Sequence, residues 1–199
     1  MESKKQYTQR LQQRQAEAQR LLRTDRWISV GRLVAFATGA GLALRDLAGW
    51  GSVGLFWMLL PFAVFLALAI WHALVLKKRR EMERRIEFYE RCLARVEDRW
   101  KGKGEDGLSL LPENHPYALD LDVVGEGGLF QRIWISGSPM GARTLGAWML
   151  QAADADTILR RQEAVKEARD ALNFREELSI HGNQSASGTG ELCDWGTRK

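Results

Sequence analysis

Cysteine is nearly missing from these 199 residues: Cys92 and Cys193 are the whole supply, and nothing pairs them in CxxC spacing. Two thiols build no disulfide framework, and both are expected to stay reduced, as in a cytoplasm. Histidine is almost as scarce, with His72, His115 and His181 alone. His115, Asp120 and Asp122 offer an imidazole and two carboxylates, donors that suit a transition metal, but their spacing matches no established ligand set. Neither cysteine has a histidine and an orienting group that the sequence sets beside it, so nucleophilic catalysis has no support. No GxxxxGK[ST] occurs, which excludes a P-loop cradle for nucleotide phosphates. The length leaves room for one small soluble domain plus helical connectors and excludes a large enzyme core.

Charge is missing from one long stretch. Trp50 to Leu76 (WGSVGLFWMLLPFAVFLALAIWHALVL) runs for 27 residues without Asp, Glu, Lys or Arg. At about 1.5 Å per residue such a helix reaches roughly 40 Å, more than the ~30 Å hydrocarbon core of a bilayer requires. Trp50 and Trp57 anchor one side; Trp71 and His72 lie on the other, ahead of Lys77, Lys78, Arg79 and Arg80. His72 reads as an interfacial residue ahead of a proton relay. Pro61 is expected to kink the helix, as bilayer helices tolerate. A buried helix of a soluble protein is the bland alternative, and core helices are rarely apolar all round for this length.

A second candidate span, Trp27 to Leu44, is interrupted by Arg32. An arginine at mid-bilayer costs about 2.5–3.5 kcal/mol on insertion scales, but Arg32 is within snorkelling reach of the head groups. Ala35 with Gly39, and Ala37 with Gly41, give small-residue faces on which the other span can approach. Seven Lys/Arg precede this span, whereas the turn Arg45 to Ser52 holds one Arg and one Asp. The charge bias therefore predicts a hairpin at 27–76 (spans 27–44 and 50–76), multi-pass in a cytoplasmic inner membrane with both termini cytoplasmic and no cleaved signal peptide. Membrane lipid is the first expected partner.

The charge that is present is divided unevenly. Residues 1 to 101 hold 19 Lys/Arg against 10 Asp/Glu, and residues 102 to 199 hold 10 against 15. The basic half flanks the membrane candidates, which accounts for it without nucleic acid; the acidic half is a poor phosphate binder. Residues 1–26 lack Gly and Pro and are expected to form a cytosolic helix; Tyr7, Leu11, Ala18 and Leu21 keep a weak heptad that Arg14 interrupts, and a solvated or membrane-surface helix is the competing reading. Residues 77–101 form a charged juxtamembrane helix on which Met82, Ile86, Tyr89, Leu93, Val96 and Trp100 recur at 4, 3, 4, 3 and 4 residues. That row is a coiled-coil-like association seam, to be filled by the N-terminal arm, by a second copy in a homo-oligomer, or by docking on the soluble part. Residues 102–114, with GKGEDG, read as a linker.

From Leu108 the chain turns helical after an extended start. A helix is expected around Leu129 to Ile135, another from Ser138-Pro139 through Met149, and a long one capped by Asp154 or Asp156 reaching about Leu178, with Ile158, Val165, Ala168 and Leu172 on its apolar face. The strings His115-Pro-Tyr-Ala-Leu-Asp-Leu-Asp122, Gly-Leu-Phe130-Gln, Gly141-Ala-Arg-Thr-Leu145 with Trp148-Met-Leu150, Ile158 with Arg161-Gln-Glu-Ala-Val165, and Leu172 with Arg175-Glu-Glu-Leu178 resemble the start of the core, or lever, domain of the MutS family. More narrowly, the chain resembles membrane-tethered MutS-related bacterial proteins, in which two N-terminal spans precede that core. The resemblance covers residues 115–182.

It implies a DNA-repair-type ATPase whose helical core transmits between a DNA clamp and an ATP-binding domain. ATP, Mg and DNA are then expected only of a longer, full-length form, and this chain is expected to be no enzyme and to hold no cofactor. Gly141, Arg143, Leu145, Trp148, Arg161, Gln162 and Val165 are implied as packing and helix-start positions of the core. The tail 183–199 leaves the family pattern, reads as disordered, and suggests a truncated or frame-shifted product or a cut-down form. The fold expected overall is all-α: a transmembrane hairpin, a coiled-coil-like connector and a small helical domain, acting as the tether and lever of a MutS-like protein. The alternative is a small membrane scaffold that associates through the Met82 to Trp100 row.

Overall fold

The computed structural model describes residues 2–49, 54–135 and 137–184, and every regular element among them is a helix. The chain divides into two compact units, residues 12–84 and residues 1–11 with 85–199. Trp50, expected as an anchor, and most of the 183–199 tail, with Cys193, lie outside the described residues.

The arm and the first span are one helix, α1 (Glu2–Leu47), and the second span continues into the charged helix as α2 (Leu55–Val96). Leu, Ala, Gln and Arg carry α1 with nothing to stop it before Gly49, whose φ of 74° lets its N–H reach the Asp46 carbonyl at 3.1 Å. Pro61 lies inside α2 without ending it.

Within residues 12–84 the two helices meet along rows spaced alternately 4 and 3 residues. On α1 the sheltered row runs Arg14, Ala18, Leu21, Asp25, Ile28, Arg32, Ala35, Gly39, Leu42; on α2 it runs Pro61, Phe65, Leu68, His72, Val75, Arg79, Met82. This is a heptad seam, the pattern of two helices packed side by side. The glycines allow the approach: a Cβ on Gly31 would sit 3.4 Å from Leu68, and one on Gly39 3.4 Å from Pro61. Phe36 and Phe65 meet with ring centroids 6.4 Å apart. The small-residue faces differ in use, since Gly39 meets the other span whereas a Cβ on Gly41 would meet nothing within 4 Å.

In the other unit α2 stops at Val96, not at 101 as expected. Asp98 adopts φ 54°, and the N–H groups of Asp98 and Arg99 return to the carbonyls of Arg95 and Ala94 at 3.3 and 2.7 Å, a Schellman closure. Trp100, the last member of the heptad row, is therefore a loop residue; it folds back into burial and donates its Nε1–H to Asp98 at 2.9 Å. Two apolar clusters form the interior. Ala118, Val124, Phe130, Ala142 and Leu150 make one; Phe88, Tyr89, Cys92 and Leu172 make the other, with Tyr7, Leu11 and Ile135 against it.

The stretch 102–114 is no free linker. The buried Gln131 side chain accepts N–H groups of Gly102 and Gly127 at 3.1 and 2.9 Å, and Gly107, at φ 78°, lies so close to Phe130 that a Cβ would come within 2.8 Å of the ring. A short 3-10 turn, Leu108–Leu110, follows. The next helices are α3 (Leu129–Ile133) and α4 (Pro139–Leu150), the latter capped by Ser138 with proline at its start, as expected. The long helix to Leu178 is two helices, α5 (Ala155–Asp170), capped by Asp154, and α6 (Leu172–Gln184). Ala171 breaks them at ψ 58°, and the break lets Leu172, Glu176 and Ile180 turn inward while α5 buries nothing.

Candidate functional site

Two polar clusters stand out, one in each unit. In the hairpin, Asp25 and Arg32 of α1 face His72 and Arg79 of α2. Arg32 Nη1 lies 2.9 Å from His72 Nδ1, and His72 Nε2 lies 2.7 Å from Asp25 Oδ1. A guanidinium only donates, so Nδ1 must accept, and the ring is the neutral tautomer whose Nε2–H donates to the carboxylate. Arg79 approaches the other oxygen of Asp25 at 3.7 Å and donates to Glu83 at 2.9 Å. The Arg32 guanidinium also covers the Phe65 ring at 5.2 Å. Arg32, expected within snorkelling reach of the head groups, crosses to α2, where His72 supplies an acceptor and Asp25 the balancing charge. Asp25 was missed from sequence. Its signal was isolation, as the only acidic residue between Glu17 and Asp46.

The second cluster is a buried clasp. Arg85 donates to Glu176 at 3.0 Å and to both oxygens of Glu177 at 2.8 and 3.1 Å, and the Tyr89 hydroxyl donates to Glu176 at 2.7 Å. Glu176 is 1 % exposed and Arg85 7 %. Such a set is satisfied only as a whole, since either charge left alone in that interior is costly. Nearby, Arg95 donates to the carbonyls of Arg132, Gln131 and Trp134, and Arg91 to that of Ile135 at 3.2 Å, closing the C-terminal end of α3.

A hollow of about 590 Å³ lies between Trp100, Trp134, Arg91, Arg95 and Lys103. It resembles an anion pocket only until its cations are counted, because Arg91 and Arg95 are already spent on carbonyls. Burial pushes the Cys92 thiol up to about 11, so it is protonated and unreactive at neutral pH. His115 uses both ring nitrogens structurally: Nδ1 accepts the Ala118 N–H at 3.2 Å and Nε2–H donates to the Leu150 carbonyl at 3.0 Å. Among the described residues no three His, Cys, Asp or Glu side chains gather as a metal site.

The heptad row and the family-like positions separate on inspection. Met82, Ile86 and Leu93 are half-buried, Tyr89 is buried against Tyr7, and Val96 points outward. The most buried residues of this part of α2, Arg85, Phe88, Tyr89 and Cys92, are covered by the N-terminal residues and α6, and of the expected row only Tyr89 and Trp100 are buried. Of the implied core positions, Gly141 packs under Trp134, where a Cβ would come within 3.0 Å, and Leu145 packs on the Phe130 cluster. Trp148 and Arg161 stack on each other at 4.2 Å. Arg143, Gln162 and Val165 are exposed, contrary to a packing role, because no described element lies over that face. No family model, no curated protein and no solved structure matches this chain.

Proposed function

We propose that this chain is a non-catalytic membrane tether, its hairpin crossing a cytoplasmic inner membrane with both termini on the cytoplasmic side, and its helical part serving as a MutS-type lever. One observation carries the tether: the hairpin is apolar on the outside. Both helices are long and apolar enough to cross a membrane, yet Trp27, Phe36 and Phe62 are 77, 64 and 66 % exposed. A core helix of a soluble protein would bury such residues. Trp27 to Leu47 spans about 30 Å at helical rise, matching a hydrocarbon core. The lever reading rests on the strings between His115 and Val165 and on the hairpin that precedes them; ATP, Mg and DNA then belong to a longer form.

Self-association as a small scaffold has less to work with, since Tyr89 and Trp100 are occupied within the chain. Alkaline extraction of membranes from cells making the full chain tests the tether. The chain is expected in the pellet until detergent releases it; recovery as a compact monomer without detergent overturns the reading. Sequencing the gene beyond the Lys199 codon tests the lever. A P-loop ATPase in some frame is expected, and an intact unrelated gene contradicts it.

A further inference from the structure

The internal ion pairs fix which residues of the hairpin share a level. Asp25 touches both His72 and Arg79, so the last turns of α1 before Trp27 lie beside the stretch of α2 that holds Lys77 to Arg80. At this level Arg20, Arg23 and Arg26 on α1 and Lys77, Lys78 and Arg80 on α2 are all exposed. None of the six side chains is hydrogen-bonded or ion-paired to another described residue, whereas Arg32 and Arg79, on the inner rows, are engaged. Of the nearby carboxylates, Asp25 is engaged by His72 and Arg79, Glu17 by Arg14 and Glu83 by Arg79, and Glu81 also has a partner. Along α1 the cations lie within about 9 Å of helix and along α2 within about 5 Å, shorter than or close to a Debye length at physiological salt. Immediately on the apolar side stand Trp27 and Trp71, the latter 53 % exposed.

We infer that these six cations form a belt that binds the phosphate head groups of anionic phospholipids. The inference rests on the tether reading and names its lipid class. The belt is selective for lipid because phosphate, glycerol and acyl chain occur in that order along the membrane normal, as do the cations, the tryptophans and the bare apolar helices along the hairpin. Duplex DNA would satisfy the cations and leave the tryptophans and the apolar faces without a partner. Zwitterionic lipid offers each phosphate already neutralised by its own amine. The engaged inner cations hold the helices at fixed register, so the outer six are presented together within about 9 Å of helix.

The test uses the full chain in neutral-detergent micelles, titrated with dioleoyl phosphatidylglycerol or dioleoyl phosphatidylcholine and followed by thermal unfolding and lipid-bound native mass spectra. Each engaged cation is expected to favour anionic lipid by about fivefold, so the preference should exceed about tenfold and shrink with added salt. R20Q/R23Q/R26Q and K77Q/K78Q/R80Q should each lose part of it, and the sixfold variant all of it, while remaining in the membrane pellet. Equal binding of both lipids, or an unchanged preference in both triple variants, overturns the belt and leaves the tether standing. Preference for a short DNA duplex over phosphatidylglycerol at equal phosphate also overturns it. Absence of the wild-type chain from membranes is a different failure, that of the tether itself.

Discussion

In residues 12–84 the sheltered rows hold Asp25, Arg32, His72 and Arg79 while Trp27, Phe36 and Phe62 face outward; in the other unit Tyr89, Phe130 and Ile180 are inside and most charges are at the surface, although Leu121, Met140 and Val165 are exposed there too. Each arrangement is sensible for one solvent. Water rewards burying apolar area by about 25 cal/mol per Å², whereas lipid gives no such reward and penalises unpaired charge instead. On the tether reading the same chain follows two rules for what belongs inside, and an ionic cluster is the exception in the second unit and the organising feature of the hairpin.

The comparison breaks first at Arg85. Replacing it with Met leaves the carboxylate of Glu176 buried without its cation, and this second unit should lose about 3–5 kcal/mol in thermal or denaturant unfolding. Combining Arg85→Met with Glu176→Leu should restore most of that loss, because an apolar pair suits an aqueous-type core. A single variant without effect would mean that the clasp is open in solution.

Glycines sharpen the contrast. Gly107→Ala would put a Cβ 2.8 Å from the Phe130 ring at a backbone φ of 78°, and should cost about 1–3 kcal/mol by chemical denaturation. Gly41→Ala, with nothing within 4 Å, should be neutral or stabilise the hairpin by up to about 1 kcal/mol. Equal costs at the two sites would contradict the packing described. Within the hairpin, Asp25→Ala strips His72 of its acceptor and Arg79 of a nearby carboxylate, and should lower the hairpin's stability in micelles by about 1–3 kcal/mol. Asp25→Asn, which retains an acceptor oxygen, should lose less.

The smallest effect is at the surface of the second unit. The hydrogen bond from Lys4, at 2.8 Å, together with Arg99, draws Glu97 from 4.5 down to about 2. A carboxylate held low contributes stability that is complete above its unfolded value and is lost as pH falls from about 4.5 through about 2. Lys4→Met should lower the melting temperature slightly at neutral pH and so flatten the acid limb of the profile, the two proteins converging as pH falls toward about 2; identical profiles would show that the tie between α1 and the end of α2 is absent.

The two long apolar helices were legible in the sequence because composition alone marks a long uncharged run, and the start of α4 because Ser138-Pro139 is a local signal. What escaped is set by distant partners. No Gly or Pro marks the break at Ala171, which follows from Leu172 turning into the Phe88 and Cys92 cluster. GKGEDG has the composition of a linker, and only Gln131, far along the chain, fixes it. The Met82 to Trp100 row was visible, but its last member depends on Asp98 entering a left-handed conformation. Asp25 acquires meaning only when His72 is brought opposite it.

The most direct measurement is side-specific labelling of single cysteines in sealed inner-membrane vesicles, after Cys92 and Cys193 are replaced with serine. A cysteine at Ala48, in the turn between the helices, should react with a membrane-impermeant maleimide only from the face opposite to that on which cysteines at Gln19 and Glu83 react. Reaction of all three from one face would mean that the helices lie on or beside the bilayer, and would contradict the account.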